Sequence, residues 1–139
     1  MLKVKYFLCS DSAAIDSRRN TLSIFHIAEN MYVPVFPFLM QRISILASIE
    51  RTLDEPSLME ATITAMQGDS EIFSGPLSVN FVQQLSTRVV VEVGGVVIPQ
   101  PGRLTFTLRK AGEAIASYDF SVDRLDGPTI EQLPFPAKS

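Results

Sequence analysis

Residues 99–122 read PQPGRLTFTLRKAGEAIASYDFSV: a turn, an alternation of apolar and polar residues, a glycine, and a second alternation. Leu104, Phe106 and Leu108 take turns with Thr105, Thr107 and Arg109. A helix would spread these residues around its circumference, whereas a strand places the apolar ones on one face and the polar ones on the other. Ala111-Gly112-Glu113 then reverses the chain, with Gly112 supplying the residue that tolerates positive φ in a short loop. On the return, Ala114, Ala116, Tyr118, Phe120 and Val122 face inward while Ser117, Asp119, Ser121 and Asp123 face outward. The stretch predicts an antiparallel hairpin with one face on a core and one in water.

The same period runs outward from it. Val4, Tyr6 and Leu8 alternate with Lys3, Lys5 and Phe7, and Ile43, Ile45, Ala47 and Ile49 alternate with Arg42, Ser44, Leu46 and Ser48. Met59, Ala61, Ile63 and Ala65 alternate with Glu60, Thr62 and Thr64, and the turn Asp54-Glu55-Pro56-Ser57 before them predicts a hairpin from 42–51 into 58–67. Leu77, Val79 and Phe81 form a shorter strand, and Val89, Val91 and Val93 a β-branched one. Turn signals fall between these runs at Gly68-Asp69, Gly75-Pro76, Gly94-Gly95 and Pro99-Gln100-Pro101-Gly102. A spacing of roughly ten residues between turns is that of an all-β sandwich or barrel.

The expected fold is one antiparallel β-sandwich of about seven to nine strands, immunoglobulin-like or a related Greek key. At most a short helix is allowed, near Pro37–Gln41 or Val82–Leu85. The expected core includes Ile43, Ile45, Val91, Leu104, Phe106, Leu108, Tyr118, Phe120 and Val122. The sandwich spans 1–124, and 125–139, with its prolines and no periodicity, reads as an extended C-terminal tail.

Composition bounds the function. The chain has 139 residues, 46% hydrophobic and 19% charged, enough for one core and far from the composition of disordered chains. A formal charge of −3 has the wrong sign for counterion-release binding to nucleic acid, and the basic residues show no cluster beyond Arg18–Arg19. One cysteine, Cys9, excludes an intramolecular disulfide, and with a single histidine it cannot complete a structural zinc site. No segment approaches the roughly 20 apolar residues of a membrane-spanning helix, and the N-terminus lacks a signal-peptide core. These features predict a cytoplasmic protein without cofactor or metal.

Candidate chemistry is sparse. His26, in TLSIFHIAENMYV, is the one histidine a nucleophile could use as base, and its strand context favours a structural or solvent-facing side chain. Cys9 reads as a small buried hydrophobe. Asp11 and Asp16, in SDSAAID, form a possible polar loop site, too poor in oxygen ligands for calcium and better explained as turn caps. Phe36 and Phe38, in a proline-flanked loop, and Phe135, in LPFP, are candidate protein contacts or loop anchors.

The blocks DSAAID (11–16), NTLSIFHI (20–27), YVPVFP (32–37) and VVIPQPGRLTFTLRKAGEAIASYDFSV (96–122) together resemble a family of small bacterial β-sandwich domains of unknown function. The resemblance implies the sandwich and a bacterial origin, carries over no catalytic residue, and places a small residue, commonly glycine, about where His26 stands. With no catalytic constellation in view, the expected role is a non-enzymatic module that binds a protein partner or itself. The alternative is a small-ligand site, for sugar or peptide, built from loops at 10–20 and 30–41. A catalytic role would require His26 and a carboxylate to converge. Homo-oligomerisation fits an all-β domain that must cover its edges, with no edge singled out by the sequence.

Overall fold

The computed structural model of the chain describes residues 2–125. The tail expected from 125 onward, with Phe135, therefore lies outside the described residues except for Leu125.

Nine strands run in chain order: β1 Lys3–Asp16, β2 Thr21–Ile27, β3 Asn30–Val33, β4 Phe38–Glu50, β5 Leu58–Gln67, β6 Ser70–Asn80, β7 Ser86–Ile98, β8 Gly102–Lys110 and β9 Glu113–Arg124. They form two sheets, β2-β1-β4-β7 and β3-β9-β8-β5-β6, packed face to face and not closed into a barrel. The protein is a β-sandwich, as the alternation predicts. All neighbouring strands are antiparallel except β3, which runs parallel to the end of β9, pairing Asn30 with Ser121 through Val33 with Arg124.

The hairpin at 102–124 forms as its pattern requires. Leu104, Phe106, Leu108, Phe120 and Val122 are all buried, and the Phe106 and Phe120 rings stack with centroids 5.9 Å apart. Tyr118 is half-buried against the same core and donates its hydroxyl proton to the Ala28 carbonyl. A register shift at Leu108/Arg109 leaves Ala114 exposed, contrary to the strict alternation. Thr107, expected on the wettable face, is also buried, beside its register partner Thr64 on β5. Both sit on strands with neighbours on either side, where little water reaches the backbone.

Four further expectations are corrected. Val4, Tyr6 and Leu8 do not share one buried face: a bulge between Val4 and Tyr6 inverts the phase, so that Phe7 and Cys9 enter the core. Strands 42–51 and 58–67 are not a hairpin, because β4 and β5 lie in opposite sheets and the 51–57 connection arches between them. That arch is held by Arg51, whose guanidinium donates to the Glu55 and Gln84 carbonyls and lies over the Phe81 ring. Gly75-Pro76 is not a turn but part of edge strand β6, where a proline without an N–H is tolerated. Gly94-Gly95 is likewise inside β7: Gly95 has φ +74°, and a Cβ on Gly94 would stand 3.1 Å from the Gln41 carbonyl oxygen. The glycines kink β7 and β4 together, so that Met40, Val96 and Ile98 are buried on one side of the kink and Ile43 and Val93 on the other. Residues 38–41 are strand and 82–83 are turn, so neither helix position is used.

Candidate functional site

The site arises where one strand changes partners. β1 pairs with β4 from Lys3↔Glu50 to Ser10↔Ser44, then leaves it and pairs with β2 from Ser10↔Ile27 to Asp16↔Thr21. The second half of β1 and all of β2 thus form a hairpin that leaves the ladder. Its tip is capped by Asp16, whose Oδ1 accepts from the Arg18 N–H at 3.0 Å and the Arg19 N–H at 3.4 Å. Asn20, at that tip, has its carbonyl oxygen 3.3 Å from both terminal nitrogens of Arg88. Arg88 belongs to the row Tyr6–Ser48–Arg88 across the sheet, which lies before Ser10 along β1. A hairpin that starts at Ser10 reaches this row only by folding back over the outer face of the four-stranded sheet.

Burial agrees. Leu46 faces away from the space between the sheets, between Leu8 and Val90 in register, yet is 0% exposed and stands apart from the main core cluster. Leu22 and Ile24 are the half-buried side of β2, and Leu22 lies opposite Ile15, which borders one pocket with Tyr6 and Ser48 of this face. The hairpin is a third layer over one sheet.

At its base, Asp11 and His26 stand opposite each other between the pairs Ser10↔Ile27 and Ser12↔Phe25. His26 Nδ1 is 3.6 Å from Asp11 Oδ2, with side chains 84% and 59% exposed. His26 has φ +58°, a left-handed conformation that glycine adopts freely and a histidine takes at a cost. This kink lets the chain turn off the hairpin into Ala28 and Glu29, which bridge the two sheets. The Ala28 N–H donates to the Cys9 carbonyl at 2.9 Å, and the Ser121 N–H donates to the Glu29 carbonyl at 3.1 Å.

Because β1 departs, residues 38–43 of β4 keep a partner on the β7 side alone. Along that free side runs a groove of about 500 Å³ with Asp11, His26 and Asn30 on its wall and Met31, Met40 and Ile43 at its base. It adjoins a shallower depression of about 750 Å³ bordered by Phe38, Leu39 and Arg42. Arg42 is paired with Glu92 at 3.3 Å. Ile27 and Leu39, each about half exposed, give the groove an apolar rim. Among the described residues no group of three or more His, Cys, Asp or Glu side chains could hold a metal ion.

The sequence candidates scatter across this geometry. Asp11 and His26 come together in the groove, while Asp16 stays at the far end of the hairpin as a turn cap. Ser10, in the groove wall, donates its hydroxyl proton to the Ser12 carbonyl at 3.1 Å. Cys9 is fully buried, and burial pushes its thiol up from 9.0 to about 12, which keeps it protonated and unreactive. Phe36 and Phe38 are half-buried against the main core and anchor the 34–37 loop. Sequence reasoning missed Met31, Met40 and Arg42, which gain meaning only from the departure of β1 from β4.

No curated protein matches the chain. A family model described as a family of unknown function, DUF6941, matches residues 5–123, nearly all of the sandwich described above, and the chain belongs to that family.

Proposed function

We propose that this protein is a non-enzymatic interaction module that accepts an extended peptide segment along the free side of β4. The observation that carries the reading is the one-sided pairing of residues 38–43 beside a groove with a methionine floor. Unpaired strand backbone offers alternating donors and acceptors to an added strand, and flexible thioethers adapt to different apolar side chains. The rim of Ile27 and Leu39 and the polar side chains of Asp11, His26 and Arg42 suit a peptide of alternating character better than a sugar, which asks for aromatic platforms. The peptide can belong to another protein or to a second copy of this chain.

The His26–Asp11 pair is the one feature an enzyme would share. Its exposure to water and the use of the neighbouring Ser10 hydroxyl on a backbone carbonyl support a binding role for the pair. The single buried thiol supports a reducing, cytoplasmic setting, and the strand order supports an immunoglobulin-like reading. With β1, β4 and β7 taken as strands A, B and E, and β5, β8 and β9 as C, F and G, both sheets follow that order, and β2 is an insertion.

The test is a selection from a displayed random-peptide library, followed by titration of the recovered peptides into isotopically labelled protein. Shifts and slowed amide exchange at 38–43, with binding weakened about tenfold in Leu39→Asp, are the expected result. Shifts at the same residues from a sugar panel alone would favour the small-ligand alternative, and no perturbation there by either would refute the groove as the site.

A further inference from the structure

The edges of the two sheets are blunted to different degrees. β6 carries Pro76, which has no N–H to offer, β3 spans only Asn30–Val33, and β2 belongs to the folded-back hairpin and bends at His26. Among the described residues β7 pairs with β4 alone, so its other side is open from Ser86 to Ile98, with no proline or lysine and with three consecutive valines at 89–91. The core side of this flank is apolar as well. Val89 and Val91 lie in register with the buried Ala47 and Ile45, and Phe73 and Leu77 of neighbouring β6 with the buried Ala65 and Ala61. All four are nonetheless only half-buried, because no strand stands beyond β7 or β6 to cover them.

The stretch Arg88-Val89-Val90-Val91-Glu92 complements itself in an antiparallel pair. Directly opposite residues share a face, so two copies of β7 related by a two-fold axis place one residue opposite itself. With Val90 there, Arg88 of each copy faces Glu92 of the other, and Val89 faces Val91. The paired stretch then runs from Ser86 to Gly94 and ends before Gly95, whose φ of +74° bends the strand. Centring on Val89 or Val91 sets each charge against an uncharged residue, and centring on Arg88 or Glu92 sets like charges face to face. Arg88 has a charge to be met: the ion pairs among the described residues leave it without a carboxylate, and Asn20 gives it oxygens but no charge. The attraction is between charges across the strand pair and needs no donor released from Asn20.

We infer that β7 is the interface between two copies of this chain, joined antiparallel about Val90 into one continuous sheet. Val90 faces outward and is 39% exposed, and it meets its own equivalent at the axis. The outward backbone donors and acceptors of 86–94 gain partners that the single chain does not give them. The surface is separate from the groove along 38–43, which lies on the opposite side of β4.

Sedimentation equilibrium of the whole chain across the micromolar range reads the association. The wild-type protein should form a reversible dimer. Val90→Lys, at a position already open to water, sets two ammonium groups against each other at the axis and should weaken the dimer about tenfold or more. Arg88→Glu and Glu92→Arg each oppose like charges and should be monomeric where the wild type is dimeric. Mixed in equal amounts they should associate with each other, because the two acidic positions of one chain then face the two basic positions of the other. A wild-type chain that stays monomeric throughout overturns the inference. So does a dimer that keeps its affinity in Val90→Lys, or loses it in Leu39→Asp instead, or a mixture of the two folded charge variants that yields no heterodimer.

Discussion

The hairpins at 102–124 and 11–27 are both antiparallel, both turn at their tips through residues with positive φ, and have opposite fates. In the first, β8 lies inside its sheet between β9 and β5, and the inward side chains meet the opposite sheet. In the second, the chain leaves the sheet after Ser10 and folds across its back, so that its apolar side turns to the face that carries Leu46, outside the main core. Alternation specifies that a strand has one apolar face. It does not specify which surface that face covers, and the difference between these hairpins is a difference in long-range partners alone.

Substitutions can break this comparison, beginning with the largest effect. Phe106→Ala, at a fully buried position stacked on Phe120, should cost about 3–5 kcal/mol in urea unfolding. Leu46→Ala should cost about 2–3 kcal/mol, because its cover is a two-stranded hairpin that settles more readily than a sheet. A cost near zero for Leu46→Ala would mean that the hairpin does not cover the sheet in solution.

Cys9 links the same region to pH. Its thiol is neutral in the folded chain up to about pH 12 and ionises from about 9.0 when unfolded, so the unfolded state alone loses protons between those values. Stability should therefore be insensitive to this group below pH 9 and fall by about 1.4 kcal/mol per pH unit above it. Chemical denaturation across that range, with Cys9→Ala as the flatter control, measures the slope. At pH 8 the folded thiol holds roughly a thousandth of its unfolded thiolate fraction, and disulfide-forming reagents should label it only on unfolding.

Smaller effects sharpen the account of the hairpin base and tip. His26→Gly should raise stability by about 0.5–1 kcal/mol, since relief of the left-handed strain outweighs both the added chain entropy and the exposed contact with Asp11. A loss on this change would show that the imidazole holds the kink. Arg88→Gln should lower stability by about 0.5–1 kcal/mol through the Asn20 contacts, with hydrogen exchange quickening in 11–27 and unchanged in 102–124.

Much of this architecture is legible in the residues themselves. Leu104, Phe106, Leu108, Phe120 and Val122 announce their burial through spacing, and the turn at Gly112 through its composition. The groove was legible only in fragments. Asp11 and His26 stood out as titratable groups, but they lie far apart in the chain, and their meeting depends on the register of β1 with β2. Met31, Met40 and Arg42 carry no signal of function, because a methionine in a strand reads as core until the neighbouring strand is known to be missing. Glycine pairs misled for a related reason: Gly94-Gly95 can turn a chain or kink a strand, and the close approach of Gln41 selects the kink.

The sequence by itself determined that this chain is an all-β sandwich and which residues point inward along most strands, because the two-residue period and the turn chemistry are local properties of the backbone. The tertiary structure alone decided that β4 and β5 lie in opposite sheets, that β1 shifts its phase at a bulge, and that the 11–27 hairpin doubles back and leaves one groove open. Those choices rest on which distant surfaces exclude water from each other, and no local pattern of residues encodes that.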